Sequence, residues 1–258
     1  VTFARYVALG DSFTEGVGDD DPALPNGVRG WADRFAAALD RAQGGGLSYA
    51  NLAIRGRKLM PIAAEQLEPA LALRPDLVTI YAGANDIMRP KVDLDAILAE
   101  YDRVIARLVA SGARVVMFTP ADPGGSRIYA VVRARFVRYR DAVREIAERH
   151  GATLVDYWNL TDYRDARLWD TDRMHMSPAG HQRMAIAVLD ALGVDHDLEP
   201  LVLADPSPMT ALERVKAQLQ WAVEYLGPWI KRRVTGRSSG DGLDPRYREL
   251  TPLSESAA

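Results

Sequence analysis

The sequence predicts an α/β fold. It is a three-layer α/β/α arrangement around a five-stranded parallel sheet of order 2-1-3-4-5, with a helical extension at the C-terminal end. Two observations carry this reading. Short apolar runs recur along the chain, each followed by a stretch with helical spacing, and that alternation marks βαβ units joined by right-handed crossovers. Polar and turn residues then stand just past the carboxyl ends of these runs, where open parallel sheets hold their ligands.

Residues 6–9 form the first apolar run, which stops at Gly10-Asp11 with Ser12 just beyond. Residues 16–30 are a loop rich in Gly, Pro and Asp, whose Asp19-Asp20-Asp21 cluster is expected to be solvated. In residues 31–42, Trp31, Phe35, Ala38 and Leu39 are spaced as one helical face, and Gly44-Gly45-Gly46 ends it. Residues 47–52 are the second strand, leading to Ala53-Ile54-Arg55-Gly56. Residues 61–73 read as helical, with Pro69 expected to kink or split the segment.

Residues 76–81 are the third strand and run into Gly83-Ala84-Asn85-Asp86. A helix over residues 93–111 places Ile97, Tyr101, Ile105 and Leu108 on one face, with Gly112 as its stop. Residues 114–119 and 153–157 are the fourth and fifth strands, separated by a helix over 129–150 that ends at Gly151. A long loop covers 158–176. Ser177-Pro178 then opens a helix to Leu192, with serine as N-cap and proline at the first helical position.

Residues 1–195 thus make one domain, and residues 196–258 form an extension packed on it. In the extension, residues 209–233 have helical spacing, with Leu212, Val215, Leu219, Ala222, Val223 and Leu226 on one face and a bend at Pro228. That face is expected to dock on the domain, with a membrane-surface or dimer contact as the sharper readings. Residues 238–258 are polar and turn-rich, expected to be extended or poorly ordered.

Composition narrows the function. With 35 acidic and 32 basic residues the net charge is −3, which offers no electrostatic case for nucleic acid or an anionic membrane. The absence of cysteine excludes disulfides, thiol catalysis and cysteine-ligated metal. No apolar run approaches the ~18 residues of a membrane span. The start shows no signal pattern, so a cytoplasmic location is expected; the chain opens on Val1, which leaves a cleaved leader open.

The third observation is chemical. A serine hydroxyl is a poor nucleophile unless a base takes its proton. Of four histidines, His150 ends a helix, His181 falls inside one, and His196 lies beyond the domain. His175 lies in the loop after the fifth strand, on the side of the sheet that holds Ser12, and is the candidate base. Asp172, three residues earlier, can orient its ring, and Asp170 is a rival at an awkward reach. Acyl transfer also needs donors for a developing oxyanion, which Asn85, the Gly56 N–H and the Ser12 N–H can supply.

Gly10-Asp11-Ser12, Gly56, Gly83-Ala84-Asn85-Asp86 and Asp172-Arg173-Met174-His175 resemble the ordered sequence blocks of the SGNH (GDSL) hydrolases. The resemblance covers roughly residues 1–193, with Phe13 where that family usually has leucine. It implies Ser12 as nucleophile, His175 as base, Asp172 as its partner, and Ser12, Gly56 and Asn85 as the oxyanion hole. A small-molecule ester of short to medium acyl length is the implied substrate, with no metal or organic cofactor. Two rivals stand beside it. One is a metal-assisted phosphoesterase with Asp11, Asp170, Asp172 and His175 as ligands; the other is a non-catalytic binding module.

Overall fold

Strand β1 (Arg5–Gly10) is the strand around which the sheet is laid out. It pairs in parallel with β2 (Ser48–Asn51) on one side and β3 (Leu77–Tyr81) on the other. β4 (Arg114–Phe118) and β5 (Thr153–Val155) continue the parallel sheet beyond β3. This computed structural model describes residues 2–89, 91–124, 132–205, 208–228, 235 and 237–253. The order β5-β4-β3-β1-β2 is the predicted one, with the chain reversing direction across the sheet between β1 and β3.

Successive side chains of β1 enter opposite faces. Tyr6 and Ala8 join Trp31, Phe35, Phe118 and Met184 under α2 (Trp31–Ala42) and α7 (Pro178–Leu192). Val7 and Leu9 join Ile62, Val78, Tyr101 and Val143 under α3 (Leu59–Ala72), α5 (Leu94–Ala110) and α6 (Arg133–His150). The sheet is thus covered on both faces, and all five residues of β3 are buried. Ser177 caps α7 as predicted, its side chain accepting from the Gly180 N–H.

Several expectations need correction. α3 runs unbroken through Pro69, because the proline lies in the last turn and costs only one late backbone bond. The Asp19 carboxylate is buried, not solvated: it accepts from the Gly30 N–H and pairs with Arg34 at 2.8 Å. The first four residues expected in α6 precede its observed start, and 129–131 lie outside the described residues.

The extension differs most. Residues 247–252, within the stretch expected to be extended or poorly ordered, form a sixth strand, β6 (Tyr247–Pro252), antiparallel to β2 at the sheet edge. Helix α8 (Ala211–Trp221) continues as a π turn (Ala222–Leu226). Its apolar stripe does not dock: Leu212, Val215, Leu219 and Val223 are 57–75% exposed. The helix instead meets the domain through Gln218, Trp221 and Tyr225. Trp229 and the basic run at 231–233 lie outside the described residues.

Candidate active site

The end of β1 shapes the first half of the site. Gly10 has φ +146°, and a Cβ there would lie 2.5 Å from the Tyr81 carbonyl, so only glycine fits. Asp11 then caps the short helix α1 (Ser12–Glu15): its Oδ1 accepts from the Phe13 N–H at 3.1 Å. Ser12 holds the first helical position, where the N–H has no partner within the helix. Phe13 packs among Tyr81, Trp31, Phe118 and Tyr157, with ring centroids 4.2–5.7 Å apart, which accounts for an aromatic residue at this position.

The second half is the loop before α7. A bridge between Trp169 and Met176 closes it, and the Asp170 N–H donates to the His175 carbonyl at 2.8 Å. Within this turn Asp172 Oδ1 accepts from the backbone N–H groups of Met174 (2.8 Å) and His175 (2.9 Å). Its Oδ2 lies 2.5 Å from His175 Nδ1. On the other side of the ring, His175 Nε2 lies 3.0 Å from Ser12 Oγ. Serine, imidazole and carboxylate are in one hydrogen-bonded line. With Nδ1–H given to the carboxylate, Nε2 is left to accept the serine proton.

Burial works against charge on Asp172, but the bonds from the His175 ring and the two backbone N–H groups outweigh it and hold the carboxyl below its usual range. Asp170, the rival partner, uses its backbone to shape the turn, and its carboxylate contacts Thr171. His181 is buried: its Nδ1 accepts from the Trp31 N–H and its Nε2–H donates to the Val17 carbonyl. Burial drives its pKa down to about 4, so it is a neutral core residue. His150 pairs with Asp102 and His196 with Asp190, both away from this line.

The expected donors are more constrained. Asn85, in α4 (Ala84–Ile87), gives one amide hydrogen to Asp11 Oδ2 at 2.9 Å and the other to the Arg57 carbonyl at 3.1 Å. Gly56, at φ +76°, sits in the turn just before Arg57. The turn is tied to α1 through Glu15, which is fully buried and accepts from the Arg55 N–H at 2.6 Å and from its guanidinium at 2.8 Å. The amides of Ser12 and Gly56 have no hydrogen-bond partner among the described residues.

The capping role of Asp11 and the Glu15–Arg55 pair are the features that sequence reasoning missed. Burial pushes the Asp11 carboxyl up to about 7, against the bond from the Phe13 N–H, the charge of His175 and the bond from Asn85. The available signal was an Asx residue directly before a turn that must begin at Ser12. Asp86, next to Asn85, is a cap for another element, since its Oδ2 accepts from the Leu59 N–H that starts α3. Among the described residues no three His, Cys, Asp or Glu side chains form a metal-binding group, so the ligand set of the phosphoesterase reading is not assembled.

Residues 8–183 match the GDSL-like lipase/acylhydrolase family. An acetylxylan esterase from Geobacillus stearothermophilus is 29% identical over 166 residues, 58% of this chain and 74% of that protein. The solved structure of an acetylxylan esterase from the same organism superposes with a TM-score of 0.63 at 23% identity, covering 75% of this chain and 96% of the other. The acetyl xylan esterase AlAXEase superposes at 0.58 with 20% identity, covering 73% and 99%. The sheet order, the hydroxyl at the end of β1 and the imidazole before α7 fit that match over two thirds of the chain. The protein belongs to the GDSL-like lipase/acylhydrolase family.

Proposed function

We propose that this serine carboxylic ester hydrolase cleaves small O-acyl esters through an acyl-enzyme on Ser12, with acetyl esters of polyhydroxylic alcohols as the preferred class. The single observation that carries the reading is the line from Ser12 Oγ through His175 to Asp172, at 3.0 and 2.5 Å. Attack on the ester carbonyl transfers the serine proton to Nε2, and Asp172 stabilises the imidazolium. The imidazolium then protonates the leaving alcohol, and water repeats the cycle on the acyl-enzyme. The amides of Ser12 and Gly56 and the side chain of Asn85 take the oxyanion, Asn85 by sharing the proton now given to the Arg57 carbonyl.

The acetyl preference is supported by the acetylxylan esterase among the relatives. Three solved forms of the Geobacillus enzyme are catalytic mutants in which a serine, a histidine or an aspartate is replaced by alanine, the three residue types aligned here. Gly18 brings the 16–30 loop against the base, since a Cβ there would lie 3.2 Å from His175 Cβ.

A fluorophosphonate probe followed by peptide mass analysis tests the reading. Labelling is expected on Ser12 alone, and an unlabelled Ser12 in the folded protein ends it. Across a panel of p-nitrophenyl esters, kcat/KM is expected to fall from acetate to longer chains; a maximum at long chains rejects the acetyl preference. Asn85→Ala is expected to lower kcat by roughly a hundredfold or more with little change in KM. Wild-type kcat in that variant removes Asn85 from the oxyanion hole.

A further inference from the structure

The extension beyond the matched region touches the site at both of its loops. Three consecutive residues of the acid–base loop have partners on α8 and its π turn. Thr171 Oγ1 and the Tyr225 hydroxyl are 3.0 Å apart. The Trp221 Nε1–H donates to the Asp172 carbonyl at 3.1 Å. Arg173 lies over the Trp221 ring at 4.8 Å and donates to Gln218 Oε1 at 2.7 Å. Arg173 has φ +59°, a conformation that an arginine keeps only where its surroundings hold it.

The other loop is met by the turn at 238–241. Ser238 Oγ donates to the Arg55 carbonyl at 3.2 Å, and Asp241 pairs with Arg57 at 3.7 Å. Contact here is close. A Cβ on Gly240 would lie 2.2 Å from the Arg55 carbonyl, and one on Gly56 would lie 2.1 Å from Ser238 Oγ. Neither target loop is part of a strand or an α-helix, and the extension adds its contacts to the bridge that closes the acid–base loop and to the Glu15–Arg55 pair that holds the other. Displacing a catalytic group by about an ångström can cost on the order of a hundredfold in rate.

We infer that the C-terminal extension is a strap that positions both halves of the active site, Trp221 bracing the Asp172–His175 turn and Ser238 bracing the Arg55–Gly56–Arg57 turn. The inference rests on the reading of Ser12, His175 and Asp172 given above. Trp221 and Ser238 are positioning residues, since neither contacts the reacting atoms. The apolar stripe of α8 has no part in it, and nothing in the structure shows what covers that stripe.

The two braces have different signatures. Trp221 acts through the carboxylate that stabilises imidazolium, so its loss changes the titration that governs activity. Among the described residues, the charged or titratable groups near His175 include Asp172 within its own loop, Asp11 from the β1–α1 junction and His181 from α7. Of these only Asp172 is in contact with Trp221. Ser238 acts on the amide donors and leaves that titration alone.

Trp221→Phe keeps an aromatic ring near Arg173 but removes the N–H together with the larger indole, and Ser238→Ala removes only the hydroxyl. Both are measured on p-nitrophenyl acetate over roughly pH 5 to 9, the range in which histidine changes charge. Trp221→Phe is expected to lower kcat about tenfold at unchanged KM. It also moves the acid limb of the kcat/KM profile to lower pH, because a loosened carboxylate stabilises imidazolium less. Ser238→Ala is expected to lower kcat by several-fold, with the acid limb in place.

Leu219→Gln, on the outward stripe of the same helix, is expected to match wild type. Wild-type kcat and an unmoved acid limb in Trp221→Phe overturn the first brace, and wild-type kcat in Ser238→Ala overturns the second. An equal loss in Leu219→Gln assigns the effect to the stripe and overturns the strap. Absence of fluorophosphonate labelling in the wild-type protein is a different failure, that of the Ser12 reading itself.

Discussion

Ser12→Ala is expected to lower kcat by about six orders of magnitude and to leave the fold intact. The side chain makes one hydrogen bond, to His175, and its backbone opens α1 without using the hydroxyl as a cap, a task that falls to Asp11. Alanine is a good helix former at that position, so stability should change by no more than about 1 kcal/mol. The whole effect therefore falls on chemistry. Without the hydroxyl no acyl-enzyme forms, and what remains is water attacking a bound ester beside the amide donors. Steady-state hydrolysis of p-nitrophenyl acetate, with a thermal melt as control, checks both halves. Retention of even a tenth of the wild-type rate assigns the nucleophile elsewhere.

Asp172→Asn is expected to lower kcat by about four orders of magnitude. The carboxylate accepts three hydrogen bonds, two from backbone N–H groups through Oδ1 and one from the imidazole through Oδ2. An asparagine can keep its oxygen on the backbone pair only by turning its NH2 toward Nδ1. The ring must then accept there and carry its proton on Nε2, which points a donor at Ser12 where an acceptor is required. The wild-type shift adds a dependence on pH. Because the folded carboxyl titrates below its unfolded value, the pairing stabilises the fold above the ordinary aspartate range. That contribution is lost as pH falls through the depressed folded value. A melt series under acidic conditions should find wild type losing stability where Asp172→Asn does not; parallel curves would show that the pairing adds nothing to the fold.

Most of the parallel sheet was legible because its strands are buried on both faces. Continuous apolar runs such as Leu77-Val78-Thr79-Ile80-Tyr81 leave little choice of environment. The placement of Ser12, Asn85 and His175 was legible for a related reason: each stands just after a recognisable strand or just before a well-capped helix, and the topology of such sheets gathers those positions. β6 was not legible. Tyr-Arg-Glu-Leu-Thr-Pro has no buried side chain, and the strand is held by backbone bonds to the free edge of β2, to which side-chain patterning is blind.

The mounting of α8 was hidden for the opposite reason. An apolar stripe was visible, but the domain is met by a glutamine, a tryptophan N–H and a tyrosine hydroxyl, whose partners come from a loop 45–54 residues away. Asp11 was misread for lack of contacts. Its neighbours Phe13 and Asn85 make it a cap and an acceptor for an amide, roles that appear only once β1 and β3 lie side by side.

The antiparallel sixth strand has a bearing on how the protein behaves in concentrated solution. Without it β2 would be an outermost ribbon with unpaired N–H and C=O groups, a template on which another molecule could add. The added strand moves that boundary outward to a segment with exposed arginine and glutamate side chains and a proline at its end, a poor seed for stacking copies. A fragment cut back to the residues that match the family would keep Ser12, His175 and Asp172, yet it would be sticky. The polar tail thus guards the flank of the sheet against self-association.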